Sequence, residues 1–503
     1  MSSRVSWPCR EARSERALLL AILALGLAVR APVLNRGLGY DEAYTALYFV
    51  EVDSTWTTVS TYLAFNNHIA YSLLARLSES LLGRSEWALR LPALLLGLAS
   101  LGVFWVFGRV LLGPRPLLLA TVLLALSPPH VLWSVSARGY SGMILFTLLS
   151  SHFYFTLLDR GTRRDAAAFG LASVVGIYFH LYAAFVTLVQ ALFLAQLLVT
   201  QAVSRRAGPH PVHSPRLTLG SFGAIGGLSL LCYAPVLPSV LLNIARDARG
   251  PFAPLFPWAV AEELSGVTWG PLAALVLVAS LIGLRSLYRT HPRAAQYFGW
   301  LLAAPLLIAW LSHPISLYPR FLIYFLPYYL LLFVAGLLEP NPPAPFPKGP
   351  KGKGGLPNKL PLPFRPFREG GWGTSALRGV RYVLATALIA ILLYNWSVSP
   401  ASAISEEGMR DASRAMASNA NDSVGLCAIG GGAELFRYYV GGRLAVPASM
   451  NEFQQLARRY EELRCAYRQK SWEPRSHTEI AAFLSQHASV ETFDNVVVFS
   501  YRR

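Results

Sequence analysis

Long apolar runs are the feature that most constrains the fold of this chain of 503 residues. They are about 17 to 23 residues long, which is the length that an α-helix needs to cross a hydrocarbon core of roughly 30 Å. Hydrophobic residues make up 54% of the chain and charged residues only 14%, which is more apolar surface than a soluble protein of this size can bury. The sequence therefore predicts a mainly α, polytopic membrane protein.

Eleven membrane spans are predicted from these runs. The first follows a cluster of arginines in the manner of a signal peptide, but no small-residue cleavage site comes after it, so we expect an uncleaved first span. The spans are 17–33, 88–110, 117–135, 140–158, 166–182, 183–201, 219–238, 269–287, 295–311, 320–338 and 380–397.

The formal charge of +17 does not indicate nucleic-acid binding. Lys and Arg cluster in short loops between the apolar runs, which is the pattern of cytoplasmic loops in membrane proteins. A cytoplasmic N-terminus puts these basic loops inside. The first outer loop, 34–87, and the C-terminal region, 398–503, then lie on the opposite side.

The sequence divides into a membrane region, 1–338, a linker, 339–379, a last span, 380–397, and an external domain, 398–503. The linker is basic and rich in Pro and Gly, and we expect it to lie disordered near anionic headgroups. The external domain alternates the strand-like runs VGLCAIG and NVVVFSYR with the helix-like NEFQQLARRYEELRCAYR, which predicts a small α/β domain.

Two features of the external domain are open to more than one interpretation. The glycines of IGGGAE, 429–434, are interpreted as a strand-to-helix turn rather than a phosphate cradle, because glycine clusters alone are weak evidence. Cys427 and Cys465 both lie in this domain, and the sequence leaves open whether they form a disulfide.

Three hairpins of apolar helices each carry a single ionisable group near the outer turn. Arg138 is the only charged residue of 117–158, His180 stands alone in 166–204, and Arg320 is the only charged residue of 294–338, with His313 nearby in sequence. One such group alone is explained by snorkelling or helix capping. Three on the same face predict a cationic pocket for a phosphate, since Arg pairs with phosphate oxygens through parallel hydrogen bonds.

An acidic pair, Asp41 and Glu42, follows the first span in GLGYDEAYT and lies on the same outer face. It is either a solvated pair that caps a short helix or a catalytic group. A carboxylate beside a cationic phosphate site can act as general base, taking the proton from an attacking hydroxyl or amine. Direct attack on a sugar phosphate would invert the anomeric centre.

The stretch NNHIAYSLLARLSESLL, 66–82, predicts an amphipathic helix suited to the membrane interface. Ile69, Leu73, Leu74, Leu77 and Leu81 are assigned to its apolar face. His68 stands at the start of this helix, and by itself it is interpreted as a helix-start residue rather than a ligand.

Several motifs in order resemble the GT-C glycosyltransferases: LGYDEAYT, NNHIAYSLLARL, GRSEWALRLPALLLG, SPPHVLWSVSARGYSGMILF and YPRFLIYFLPYYLLL. The resemblance is greatest to the bacterial branch that is similar to protein O-mannosyltransferases and lipid A aminoarabinose transferases, and it covers about 17–340. It implies a polyprenyl-phosphate sugar donor, a bacterial inner membrane, and transfer on the periplasmic side to a lipid, glycan or protein acceptor.

The resemblance also implies roles for individual residues. Asp41 matches the catalytic base, and Glu42 is expected to position the acceptor or the loop. The family often has prolines after the histidine that His68 matches, and here Ile and Ala follow instead. The donor phosphate is expected at Arg138, Tyr140, His180 and Arg320, and further substrate contacts at His68, His313 and Tyr318.

No cofactor is evident from the sequence, and no tight Asp/His cluster indicates a metal, although an Asp-Glu pair does not exclude a divalent cation. Two other functions are kept as alternatives. One is a transporter or flippase for a lipid-linked sugar, which would be expected to show repeated halves. The other is a polysaccharide polymerase or ligase, whose donor would be a lipid-linked oligosaccharide.

Overall fold

Helices dominate the structure, a computed structural model, as the sequence predicts. It describes residues 9–63, 66–203, 212–247, 256–267, 269–312, 318–338, 373–398, 407–430, 432–468, 475–493 and 496–502. The helices up to the last span are α1 (Cys9–Arg30), α2 (Tyr40–Thr45), α3 (Thr55–Ser60), α4 (Ile69–Leu82), α5 (Glu86–Gly108), α6 (Pro114–Leu126), α7 (Pro128–Ser134), α8 (Tyr140–Arg160), α9 (Arg163–Phe179), α10 (Ala184–Val203), α11 (Pro215–Tyr233), α12 (Leu237–Asp247), α13 (Phe256–Ser265), α14 (Gly270–Thr290), α15 (Pro292–Ser312), α16 (Leu326–Leu338) and α17 (Gly373–Val398).

A helix lies over each predicted span. Within the described part of the chain, seven helical segments are long and apolar enough to cross a membrane, and the bent pair α6–α7 adds an eighth. The protein is therefore a multi-pass membrane protein, whereas the count of eleven stays a prediction that also needs α9, α15 and α17. The last of these begins at Gly373, inside the predicted linker, whose residues 339–372 lie outside the described part.

A proline-driven break between α6 and α7 shapes the bundle below the outer face. The two helices meet at 56°, because Pro128 and Pro129 cannot donate backbone hydrogen bonds to the end of α6. The fully buried guanidinium of Arg30 donates instead to the Ala125 carbonyl at 2.9 Å and to His130 Nδ1 at 2.7 Å. This arrangement holds α1 against the break and leads the chain into the turn that carries Arg138.

Polar contacts and small residues join the helices further inside the bundle. The Ser151 hydroxyl lies 2.7 Å from the hydroxyls of both Tyr297 and Tyr328, which connects α8 with α15 and α16. Gly283 of α14 and Gly336 of α16 leave no room for a Cβ atom, because each faces the backbone of the other helix. Close backbone approach and interhelical hydrogen bonds are the usual means of helix association in lipid.

The α4 helix confirms the helical prediction for 66–82 but corrects its apolar face. His68 is the N-cap, as expected, and Ile69 is fully buried within the protein. Leu77 and Leu81 are exposed, so grouping Ile69 with them was wrong. The helix packs against α5 through its small residues, such as Ala75, and leaves its leucines outward, where an interfacial helix would contact lipid.

The C-terminal region is the predicted small α/β domain. Its five-stranded sheet has the order β2-β1-β3-β5-β4, in which β1 pairs parallel with β2 and β3, and β5 pairs antiparallel with β3 and β4. The elements are α18 (Glu407–Ala417), β1 (Val424–Ile429), α19 (Ala433–Val440), β2 (Leu444–Ala445), α20 (Met450–Ala457), β3 (Glu462–Arg468), α21 (Arg475–His487), β4 (Ser489–Phe493) and β5 (Val496–Arg502).

Part of the secondary structure predicted for this domain was wrong. The stretch 451–468 was assigned as helix-like, but only α20 is helical and ELRCAYR forms the central strand β3. Pairing with β1 and β5 on both sides outweighs the helix propensity of Glu, Leu, Arg and Ala.

Cys427 and Cys465 are register partners on β1 and β3 and form a disulfide. Between β1 and α19, Gly430 and Gly432 have positive φ.

The C-terminal domain contacts the first outer loop through polar groups of α19. The Leu38 N–H donates to the Tyr439 hydroxyl oxygen at 2.9 Å, and that hydroxyl faces Glu86 at 3.4 Å. The Arg84 guanidinium donates to the Tyr438 carbonyl at 2.6 Å and stacks over the Tyr438 ring. These contacts join the loop before α5 to the C-terminal domain.

An apolar core continues across the same contact. Leu38 and Ala43 of the first loop belong to one buried cluster with Leu435 and Phe436 of α19. Because the first loop and the C-terminal domain touch, both lie on the same side of the membrane. The number of crossings between them is therefore even, which agrees with the ten predicted spans from α5 to α17.

Glu79 of α4 lies beneath this contact, close to Glu51, Arg84 and Tyr438. Burial first, and then the charge of Glu51, raise the pKa of Glu79 to about 7, and Arg84 opposes this. The folded protein thus holds the proton more tightly than the unfolded chain does. The resulting stabilisation is fully present below the ordinary pKa of 4.5 and is lost as pH rises through about 7.

We expect Glu79→Gln to stabilise the protein at pH 8 by roughly 1–2 kcal/mol. The full shift corresponds to about 3 kcal/mol, and partial exposure of the side chain reduces that value. The gain should be smaller at pH 5, where the native glutamate is protonated. Thermal unfolding midpoints in detergent at both pH values measure the effect, with the exposed Glu461→Gln as control. An equal gain at both pH values would contradict the assignment.

Candidate active site

The acidic pair lies at the start of α2, where its two members have different surroundings. Gly39 is the N-cap of α2, and Glu42 stands at the third helical position and accepts the Gly39 N–H at 2.8 Å. Glu42 is only 1% exposed. It forms a two-pronged ion pair with Arg90, with distances of 2.8 and 2.6 Å, and also accepts the Ala137 N–H at 2.7 Å. Both of its carboxylate oxygens are therefore engaged within the protein.

Arg90 of α5 connects this ion pair to the preceding loop. Besides Glu42, its guanidinium donates to the carbonyls of Leu34, Arg36 and Gly37 at 3.0, 2.5 and 3.0 Å. These bonds set the path of the chain between α1 and α2. Of the two roles expected for Glu42, positioning the acceptor or positioning the loop, the contacts favour the loop.

Asp41 is partly exposed and lies beside the turn that carries Arg138. In the described part of the chain no group hydrogen-bonds to its carboxylate, which lies within electrostatic range of Tyr40 and Tyr140. Its backbone carbonyl accepts the Thr45 hydroxyl at 2.8 Å, and that hydroxyl lies 3.4 Å from the Arg138 guanidinium. Asp41 is thus the carboxylate of the pair that remains available to a substrate.

The Arg138 turn is buried against the first loop. Its guanidinium donates to the Asn66 side-chain oxygen and lies near the Tyr140 hydroxyl. A Cβ at Gly139 would collide with the Phe179 carbonyl and lie against His68. Glycine at that position therefore lets Arg138 and Tyr140 pack closely onto the two histidines of the site.

His68 and His180 face each other with ring centroids 4.6 Å apart, and the Tyr140 ring lies 5.5 and 4.8 Å from them. His68 Nδ1 donates to the Phe179 carbonyl, because a carbonyl can only accept. His180 Nδ1 accepts the Tyr182 N–H, so its Nε2 carries the proton in the neutral ring. Burial, and then Arg138, keep the pKa of His68 well below its usual value, which leaves its Nε2 as an acceptor.

Arg320 closes the opposite side of the site. It lies at the start of the 3-10 helix Pro319–Phe325, with its guanidinium 4.9 Å from the Tyr318 ring centroid and 5.7 Å from that of Phe321. Phe321 in turn lies 5.5 Å from His180. Tyr318 is half exposed next to Arg320. His313, also predicted here, falls outside the described residues.

Glu263 of α13 is a member of the site that the sequence analysis missed. It lies near Arg320 and the Trp133 indole, and burial raises the pKa of its carboxyl group while Arg320 lowers it. The signal was present in the sequence as the acidic pair of WAVAEELS, which lies in a predicted outer loop as Asp41 does.

Four nitrogens at the site are buried and have no hydrogen-bond partner among the described residues. They belong to both guanidiniums and both imidazoles: Arg138 Nε, Arg320 Nε, His68 Nε2 and His180 Nε2. Unpaired buried polar groups are costly and rare in folded proteins. With two fixed cations beside a neutral N–H donor, the arrangement is suited to an anion. The described residues include no group of three His, Cys, Asp or Glu that could hold a metal ion.

Comparisons with known proteins find one family for part of the chain. Residues 66–212 match the family described as dolichyl-phosphate-mannose-protein mannosyltransferase. The matched range contains His68, Arg138, Tyr140 and His180. This partial match supports a membrane glycosyltransferase of the GT-C superfamily. A comparison with curated proteins finds no match.

Solved structures share the fold of this glycosyltransferase along nearly its whole length. ArnT from Cupriavidus metallidurans in the apo state is 15% identical, with a TM-score of 0.53 over 97% of this chain and 98% of that one. The same protein bound to undecaprenyl phosphate is 14% identical, with a TM-score of 0.54 over 96% of this chain and 97% of that one. The apo oligosaccharyltransferase of Archaeoglobus fulgidus is 11% identical, with a TM-score of 0.52 over 90% of this chain and 69% of that one.

We expect Glu42→Gln to destabilise the glycosyltransferase by about 3–5 kcal/mol, because it leaves Arg90 as a buried, unpaired charge. The thermal unfolding midpoint in detergent measures this. The control Glu51→Gln removes the more exposed ion pair with Arg84 and should cost about 0–1 kcal/mol. A Glu42→Gln variant that folds as well as the parent but loses all transfer would instead give Glu42 a direct catalytic role.

Proposed function

We propose that the protein transfers a sugar from a polyprenyl-phosphate donor to a hydroxyl or amine of an acceptor on the periplasmic side of a bacterial inner membrane. The observation that carries the proposal is the cationic site of Arg138, Arg320 and the His180 N–H beside the available carboxylate of Asp41. ArnT, which shares this fold, has been solved with undecaprenyl phosphate bound, and this supports a polyprenyl-phosphate donor.

The donor phosphate lies between Arg138 and Arg320 in this proposal, with His180 Nε2–H and the Tyr140 hydroxyl as further donors. Two guanidiniums in a buried site stabilise the charge that develops on the leaving phosphate. His68 Nε2, as an acceptor, takes a hydrogen bond from a hydroxyl of the donor sugar. Tyr318 and His313 keep their predicted roles as further substrate contacts.

Transfer proceeds by a single displacement. Asp41 takes the proton from the acceptor hydroxyl or amine as that group attacks the anomeric carbon of the sugar. The bond from this carbon to the phosphate oxygen breaks, its electron pair stays with the oxygen, and polyprenyl phosphate leaves. Attack from the face opposite the phosphate inverts the anomeric centre, and Glu42 holds the loop that presents Asp41.

The periplasmic location is supported by two features of the C-terminal domain. Its Cys427–Cys465 disulfide is typical of an oxidising compartment. The domain touches the first outer loop, so Asp41 shares its side of the membrane. The basic loops predicted for the opposite side agree with the positive-inside rule.

We expect Asp41→Asn to lower the transfer rate by about 10²–10⁴-fold, because a positioned base contributes a factor of that order. Donor affinity and the unfolding midpoint should stay near those of the parent, since no hydrogen bond within the described structure depends on this carboxylate. Purified protein, a polyprenyl-phosphate sugar and membrane extract as acceptor give the rate. Asp53→Asn, at an exposed position of the same loop, is the control. Full activity of Asp41→Asn would remove it as the base.

We expect Arg138→Gln and Arg320→Gln each to raise the donor KM by about 10- to 100-fold, because each removes a charge-assisted hydrogen bond to phosphate. Lysine at either position should recover part of the loss, since it keeps the charge without the planar fork. The control is Arg115→Gln, an exposed arginine of a predicted inner loop.

A donor panel of monosaccharide-phosphate and oligosaccharide-diphosphate lipids tests the donor class. Preference for the oligosaccharide-diphosphate lipids would favour a polymerase or ligase.

A further inference from the structure

A row of tyrosines runs beside Asp41 along α2 and the π-helical turn that follows it, Ala46–Val50. Tyr40, Tyr44 and Tyr48 are spaced four residues apart, with ring centroids 6.3 Å apart for the first pair and 4.4 Å for the second. Tyr40 is 37% exposed and the other two are half-buried. Tyr44 follows Asp41 by three residues, which makes the two side chains neighbours on the helix surface. The row therefore starts at the proposed base and leads away from it.

The C-terminal domain adds a carboxylate to this row. Glu434, in the first turn of α19, lies close to the Tyr40 hydroxyl, and its charge acts on both Tyr40 and Tyr44. The side chain of Glu434 is partly exposed. The bond between Leu38 and Tyr439 and the shared apolar core hold α19 against α2, so this position of Glu434 is built into the fold.

Accessible tyrosine rings beside a carboxylate match the chemistry of a saccharide. The C–H face of a sugar packs on an aromatic ring, and adjacent sugar hydroxyls donate to carboxylate oxygens in charge-assisted hydrogen bonds. Asp41 and Glu434 are both acidic, so an acceptor with a phosphate at this surface would be repelled. The surface is distinct from the cationic side, which Arg138 and Arg320 form.

We propose that Tyr40, Tyr44, Tyr48 and Glu434 bind the saccharide part of the acceptor and present its hydroxyl to Asp41. The C-terminal domain then completes the acceptor site by supplying Glu434. This inference rests on the proposed function, because it assigns the acceptor of the same transfer reaction. It identifies the acceptor as a glycan or glycolipid rather than a peptide.

The test measures initial transfer rates of the full-length protein against the concentration of a total membrane extract that contains both glycolipids and proteins. Tyr44→Ala and Glu434→Gln should each raise the acceptor KM by about tenfold, with kcat changed much less. The donor KM and the slow hydrolysis of donor by water should follow the parent. Tyr44→Phe keeps the ring and should restore most of the acceptor affinity. Glu479→Gln, an exposed glutamate on α21 of the same domain, should behave as the parent.

Parent-like acceptor KM values in both Tyr44→Ala and Glu434→Gln would overturn the inference while leaving the proposed function intact. Failure of the parent to transfer sugar from any polyprenyl-phosphate donor would instead refute the proposed function itself. Pretreatment of the extract separates the acceptor classes. Periodate, which cleaves vicinal diols, should abolish acceptor activity and protease should not, and the reverse result would make the acceptor a protein and overturn the inference.

Discussion

The buried ion pair between Glu42 and Arg90 is the interaction on which the outer face of this protein depends. Two charges removed from water are stabilising only when their remaining hydrogen-bonding groups are also satisfied. Here Glu42 takes two backbone N–H groups and Arg90 donates to three loop carbonyls. One pair thus fixes the end of α1, the start of α2 and the turn that holds Arg138, and with them the orientation of Asp41.

The site contrasts with that ion pair in how its polar atoms are satisfied. Nearly every polar atom of Glu42 and Arg90 has a partner within the protein, whereas Arg138, Arg320, His68 and His180 each keep a buried nitrogen without one. Native proteins tolerate few such groups. The described residues contain others elsewhere, such as Arg293 and Tyr329, but these four lie together at one site. Three of the four are donors, on Arg138, Arg320 and His180, and their cost is offset when a ligand such as an anion supplies acceptors. His68 Nε2 instead accepts a hydrogen bond from the ligand. The rigid neighbouring network is what can hold these donors in place.

The sequence revealed the elements of the site more readily than their connections. Single charges at apolar hairpin turns and the Asp-Glu pair are conspicuous in a hydrophobic chain, so Asp41, Arg138, His180 and Arg320 could be predicted. The partner of Glu42 could not, because Arg90 lies 48 residues away and looks like any basic residue at the start of a span. The β3 strand was mistaken for a helix, since only its pairing with β1 and β5 outweighs local propensity. Glu263 was missed although its acidic pair is visible in the sequence, because only the fold shows that α13 lies beside Arg320.

The contact between α2 and α19 connects the C-terminal domain directly to the helix that carries Asp41. The domain is separated from Asp41 by the whole membrane bundle in sequence, yet Tyr439 binds the loop that leads into α2 and Leu435 packs in the same core as Ala43. A rearrangement of the domain would therefore shift α2, and the proposed base Asp41 with it, because packed cores move as units rather than deform continuously. An acceptor held between α2 and α19 would stabilise that contact. Binding of the acceptor and alignment of Asp41 are then two results of the same interface.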